Sequence, residues 1–127
     1  MPTSARKPDK PPKSSGKSLK AFDIELLRRY TFEDVALERE LLDLFRGQLP
    51  LLVRQLAEAK GQDEWRLAAH TLKGSARSVG APVLAELALE LEQIGFQENP
   101  HRAKLAAKAE TAVQAFEKAV ESFYRRS

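Results

Sequence analysis

His70 stands among side chains that suit the binding of an anionic group. Lys73 and Gly74 follow it by three and four residues, Arg66 precedes it by four and Arg77 follows it by seven. Residues three and four apart are neighbours on a helix surface, so a helix here would surround one imidazole with cations. Like charges favour the neutral, nucleophilic ring, and cations attract and hold a phosphoryl group. The pattern predicts a nucleophilic histidine, with an ordinary solvated charged face as the alternative.

A helical wheel with about 100° per residue places His70 away from the predicted core. The residues that should face the core share one arc: Trp65, Ala68, Leu72, Ser75, Ala76 and Val79. His70 lies roughly opposite the centre of that arc, so it is not predicted to be a core histidine, and a plain surface histidine stays open. Gly74 favours a site, because a glycine inside a helix costs about 1 kcal/mol relative to alanine and here leaves room over the imidazole. Close packing with another helix is the alternative reason for this glycine.

The sequence after residue 21 has the pattern of amphipathic helices with short connections, and no stretch alternates convincingly enough for a strand. Asp23 is the predicted cap of a short first helix, and Thr31 that of a long second helix in which Pro50 should introduce a kink. The predicted helices span residues 23–29, 31–59, 63–79, 82–94 and from about 100 onward. This indicates an all-α fold, an antiparallel up-down four-helix bundle with a short extra N-terminal helix.

Charge and composition divide the 127 residues into a tail and a folded domain. Residues 1–20 contain six of the 21 lysines and arginines but one of the 18 acidic residues, so they carry +5 and the remainder carries −2. Their few apolar side chains predict a disordered basic tail at 1–20 and a folded domain at 21–127. The slightly acidic body argues against nucleic-acid binding by the fold.

The chain has no cysteine, which excludes disulfides, thiolate metal sites and cysteine nucleophiles. It also has no apolar run of the roughly 20 residues needed to span a bilayer, and the N-terminus lacks the apolar stretch of a secretory signal. These features predict a cytoplasmic protein without a membrane partner.

The third predicted helix carries a motif with a family resemblance. The residues H-T-L-K-G-S-A at 70–76, continued by Val79 and Gly80, resemble the H-x-L-K-G-[SA]-A…G signature of bacterial histidine phosphotransfer (HPt) domains. The segments 44–50 and 89–92 are also similar to the family in pattern, and the resemblance covers about residues 22–124. It implies that His70 is the phosphorylated nucleophile, that Lys73 positions the phosphoryl group and that Gly74 leaves access for a partner.

The resemblance also points to the helix after Gly80. Some members of the family have a glutamine there that bonds the other imidazole nitrogen, and this sequence has Glu92 at that position, beside Gln93. A carboxylate would accept a proton from the ring and fix its tautomer, as carboxylates do for other nucleophiles. An ordinary surface acid is the alternative, and whether Glu92 or Gln93 contacts the ring stays open.

A relay and its partners follow from the resemblance. A receiver-domain aspartate would donate a phosphoryl group to His70, which would pass it to another receiver, with a hybrid sensor histidine kinase upstream. The chain has no glycine-rich nucleotide motif, so no autonomous kinase activity is expected. We expect a monomer without a cofactor of its own, with Mg²⁺ in the partner receiver domain.

The docking surface is predicted to cover the outer arc of the third helix and part of the fourth. Its candidate contact residues are Arg66, Ala69, Arg77 and Ala81. A non-catalytic helical adaptor that binds signalling partners through the same face is the main alternative, although an adaptor has no need for the spacing of Lys73 and Gly74 from His70. A metal site is disfavoured, because His101 is the only other histidine and such sites recruit several ligands.

Overall fold

Five helices and no strand make up the described part of the chain. The structure, a computed structural model, describes residues 19–126. The helices are α1 (Ile24–Thr31), α2 (Val35–Glu58), α3 (Gln62–Ser78), α4 (Pro82–Ile94) and α5 (His101–Arg126). The all-α prediction is therefore confirmed. The predicted disordered tail lies outside the described residues, apart from Leu19 and Lys20.

The sequence predicted the N-terminal cap of α1 correctly but not that of α2. The side chain of Asp23 accepts hydrogen bonds from the backbone N–H groups of Glu25 and Leu26, as predicted. Thr31 was the wrong cap for α2, because it is the last residue of α1 and is buried. The chain turns through two residues with positive φ before Asp34, whose carboxylate accepts from the N–H of Leu37 at 3.0 Å. This turn delays the start of α2 by three residues.

The four longer helices form a ring around one core. Helices α3 and α5 each pack against both α2 and α4, and the short α1 lies against α2 and α3. The largest fully buried side chains are Trp65, Phe116, Leu27, Leu49, Leu56, Leu72, Leu84 and Leu91. The indole N–H of Trp65 donates to the carbonyl of Leu91 at 2.8 Å, which joins α3 to α4. In residues 19–126, no helix is long and apolar enough to cross a membrane.

The turn between α3 and α4 is closed by the start of α1. The N–H of Asp23 donates to the carbonyl of Gly80 at 2.7 Å. Gly80 has φ +74°, and a Cβ at this position would collide with the carbonyl oxygen of Asp23. Glycine is required here because it alone combines a left-handed backbone with this close approach. Gly80, the last glycine of the sequence motif, therefore allows the start of α1 to pack against this turn.

A buried carboxylate fastens α1 to α2 and α5. Glu38 accepts a hydrogen bond from Nε of Arg28 at 2.8 Å and another from the hydroxyl of Tyr124 at 2.6 Å. Burial acts to raise the pKa of Glu38, but these two hydrogen bonds and the charges of Arg28 and Arg39 together outweigh it, so the pKa lies below its usual value. Burial and the same carboxylate raise the pKa of Tyr124 to about 12. Glu38 is thus ionised and hydrogen-bonded inside the fold, as buried charges must be.

Candidate functional site

His70 presents its ring to solvent from the middle of α3. Its side chain is 63 % exposed, whereas Trp65 and Leu72 on the opposite side of the helix are fully buried. The long buried face of α3 holds the backbone at this position against α2 and α4. A rigid helix therefore supports an accessible imidazole.

One nitrogen of the ring is held by the neighbouring helix. Nδ1 of His70 lies 3.2 Å from Oε2 of Glu92 on α4. A carboxylate only accepts hydrogen bonds, so this contact assigns the ring proton to Nδ1 in the neutral imidazole. Nε2 then keeps its lone pair and is the nucleophilic nitrogen. Gln93, the other residue considered from the sequence, is exposed and makes no described contact with the ring.

Lys73 contacts the same carboxylate. Its Nζ donates to Oε1 of Glu92 at 2.7 Å, and the two side chains are 16 % and 20 % exposed. The hydrogen bond from Lys73, together with a weaker one from His70, lowers the pKa of the Glu92 carboxyl below its usual value against partial desolvation. Glu92 is therefore an anion that binds the ring N–H with one oxygen and the ammonium group with the other.

Gly74 lies one turn beyond His70 and is exposed. A Cβ built on it would meet nothing within 4 Å, so no other helix packs against this glycine. Close helix packing is therefore not the reason for Gly74 here. The open space lies on the solvent-facing side of α3, where it leaves the ring approachable from outside.

Comparison with known families adds to this geometry. A family model described as the Hpt domain matches residues 40–123, well over half of the chain, and spans the site on α3 and α4. This chain belongs to the Hpt domain family. No curated protein and no solved structure matches it. Hpt domains are phosphoryl-carrier modules of two-component signalling that interact with receiver domains and histidine kinases.

Two residues expected on the docking surface of this Hpt domain are buried instead. Ala69 is fully buried because α3 packs on both α2 and α4, which widens its buried arc. On the wheel, Ala69 also falls within about 20° of Ala76, so its place in the core was available from the sequence. Ala81 is fully buried because it caps α4 in the turn that α1 covers. The expectation that Ala69 and Ala81 contact a partner was wrong.

Three other side chains of α3 are exposed on the same side of the helix as His70. Arg66 and Arg77 are exposed, as the wheel predicts. Leu67, which the sequence reasoning missed, is 68 % exposed and lies three residues before His70. The signal that could have identified Leu67 is an apolar residue on the side of the wheel away from the core arc. In residues 19–126 there is no group of three or more His, Cys, Asp or Glu side chains placed to hold a metal ion.

Proposed function

We propose that His70 is the phosphorylated residue of this Hpt domain, accepting a phosphoryl group from the aspartate of one receiver domain and passing it to another. The observation that carries the proposal is the ring itself, with Nδ1 bound to Glu92 and the side chain 63 % exposed on a rigid helix. An antiparallel up-down arrangement of α2 to α5 is the scaffold we infer for it. The upstream donor would be the receiver domain of a hybrid sensor histidine kinase.

The transfer step can be written from these atoms. The Nε2 lone pair attacks phosphorus, the bond between phosphorus and the aspartyl oxygen breaks, and its electrons leave with the aspartate carboxylate. Positive charge then develops on the ring, and Glu92 stabilises it through the hydrogen bond from Nδ1–H, as the carboxylate of a catalytic triad does. Mg²⁺ in the receiver would neutralise the charge on the oxygens of the transferring phosphoryl group. The Hpt domain acts as a monomer without a cofactor or kinase activity of its own.

The exposed face around His70 would contact the receiver. Arg66 and Arg77 are placed to attract the acidic, phosphorylated pocket of a partner. Leu67 supplies an apolar contact beside the reacting atom, where interface cores are depleted of charge. Receiver docking would therefore centre on α3, with Glu92 and its neighbours on α4 at the margin.

Phosphotransfer itself tests this proposal. Receiver domains of the source genome, phosphorylated with acetyl phosphate in the presence of Mg²⁺, are mixed with the full chain, and the label is mapped by mass spectrometry. An acid-labile, base-stable phosphoryl group on His70 is expected. Binding of receivers without any label would instead favour a non-catalytic adaptor and reject the proposal.

Gly74→Lys is expected to slow phosphotransfer from the receiver at least about tenfold, because a long side chain would occupy the open space beside the ring. Thermal stability should stay nearly unchanged, since lysine has the better helix propensity by roughly 0.7 kcal/mol and nothing lies within 4 Å of the new Cβ. The measurement is single-turnover transfer alongside a thermal melt.

Gly47→Lys is the matched control for Gly74→Lys. Gly47 is also an exposed helical glycine with nothing within 4 Å of a built Cβ, but it lies on α2. If both variants transfer equally slowly, added charge explains the loss and Gly74 does not serve access. If neither slows, the glycine has no role in transfer.

Leu67→Gln is expected to reduce kcat/KM for the phosphorylated receiver about tenfold, mainly through KM. Burying a leucine stabilises a complex by about 1.5–3 kcal/mol, and 1.4 kcal/mol corresponds to about tenfold in affinity. Glutamine keeps the helix propensity of leucine. Ile94→Gln is the control, because Ile94 is 43 % exposed but lines the groove between α4 and α5. Equal effects of the two variants would remove Leu67 from the docking surface.

A further inference from the structure

We propose that Glu92 keeps phosphorylated His70 labile, so that this Hpt domain passes its phosphoryl group on rapidly instead of storing it. The inference rests on the proposed function, because it requires that His70 carries the group. Three effects of this one carboxylate act in the same direction, through the leaving group, the charge beside the phosphoryl group and the position of Lys73.

The leaving group is the first of these effects. When phosphate is bonded to Nε2 and Nδ1 keeps its proton, breaking the P–N bond returns the electron pair to a cationic ring and releases neutral imidazole. Without the Nδ1 proton the same step would have to release an imidazolate anion, which is a poor leaving group. Oε2 of Glu92, 3.2 Å from Nδ1, favours the protonated ring because an anionic acceptor stabilises the charged form of its donor.

The second effect is the charge on the carboxylate. Glu92 contacts the ring that would carry the phosphoryl dianion, and like charges on neighbouring groups repel. Transfer of the phosphoryl group to an aspartate or to water moves this dianion away from the Glu92 carboxylate. In hydrolysis, the water oxygen bonds to phosphorus, the P–N bond breaks and the products are dihydrogen phosphate and neutral His70 with its proton on Nδ1.

The third effect is the position of Lys73. Its Nζ is 2.7 Å from Oε1 of Glu92, and its side chain is largely buried beside that carboxylate. The cation that would otherwise neutralise the phosphoryl group is therefore engaged by Glu92. Arg66 and Arg77 are the other cations on this face of α3, and both are exposed to solvent.

Glu92→Gln tests the inference on the full chain. An amide keeps a hydrogen-bond acceptor for Nδ1–H but removes the charge, so phosphohistidine should be longer-lived. Phosphoramidate, a small histidine-phosphorylating reagent, loads His70 without a partner, and hydrolysis is followed after its removal. The carboxylate favours the ring that is protonated on Nδ1 and can leave as neutral imidazole, so without it the half-life at pH 8 should lengthen severalfold. The pH profile of hydrolysis should move to lower pH.

Glu90→Gln is the matched control. Glu90 lies on the same helix, and its described ion pair is a 3.9 Å contact with Lys108 on α5, away from His70. An unchanged or shortened half-life in Glu92→Gln, or equal lengthening in both variants, would overturn the inference. A purely structural role of Glu92 would leave the pH profile in place. Failure of the proposed function looks different, because neither phosphoramidate nor a phosphorylated receiver would then label His70 in the unaltered protein.

Discussion

Replacing His70 with glutamine is expected to abolish phosphoryl transfer from a phosphorylated receiver, leaving no label above background. A glutamine amide nitrogen has no free lone pair, so it cannot form the bond to phosphorus that Nε2 of the imidazole forms. The fold should be retained, because the side chain faces solvent and surface substitutions usually change stability by less than about 0.5 kcal/mol. Label incorporation and a thermal melt of the same sample separate these two effects.

His101→Gln is the control for the loss of label. His101 is the other histidine of the chain and is exposed at the first residue of α5. Full labelling of His101→Gln with none in His70→Gln assigns the group to α3. Label that persists in His70→Gln and disappears in His101→Gln would show that the nucleophile is on α5 and that the site on α3 has another role.

Trp65→Ala is expected to lower the free energy of unfolding by about 3–5 kcal/mol, the range found when a large buried aromatic side chain is removed. Trp65 is fully buried, and its indole N–H donates to the carbonyl of Leu91. The substitution leaves a cavity between α3 and α4 and takes away one partner of that carbonyl. Urea unfolding followed by circular dichroism measures the loss without relying on the fluorescence of the single tryptophan.

Two further variants identify the cause of the Trp65 effect. Trp65→Phe keeps most of the apolar volume but not the donor, so a loss of about 1–2 kcal/mol is expected from the missing hydrogen bond and the smaller ring. Leu67→Ala, on the exposed side of the same helix, should change stability by less than about 0.5 kcal/mol. A loss below about 1 kcal/mol in Trp65→Ala would contradict the view that this side chain sets the packing of α3 on α4.

The helices and the outward direction of His70 were predictable because both follow from periodicity. A repeating apolar pattern determines which face of a helix packs, and Trp65 and Leu72 leave no doubt about that face on α3. Ala69 was misplaced because alanine is small enough for either environment. Its position on the wheel, within about 20° of Ala76, already indicated burial at the edge of the core arc, where α3 packs on both α2 and α4.

Interactions between helices were harder to predict from the sequence. Glu38 has the residue type of a surface acid, and its burial depends on a tyrosine 86 positions later in the chain. The joint contact of Glu92 with His70 and Lys73 similarly depends on the register between α3 and α4, which Trp65 and the Gly80 turn determine. From the sequence, only the family resemblance placed Glu92 near the His70 ring.

The contact between α1 and the Gly80 turn has a practical consequence for attaching probes. The chain enters the described fold beside the start of α4, where the N–H of Val83 donates to the carbonyl of Lys20. Gly80 is ten positions after His70, which corresponds to about 15 Å along a helix. Tyr124, near the end of α5, bonds to Glu38 at the start of α2. A fluorophore at either end of the described chain would therefore be held at a fixed point of the fold and would report receiver docking by energy transfer.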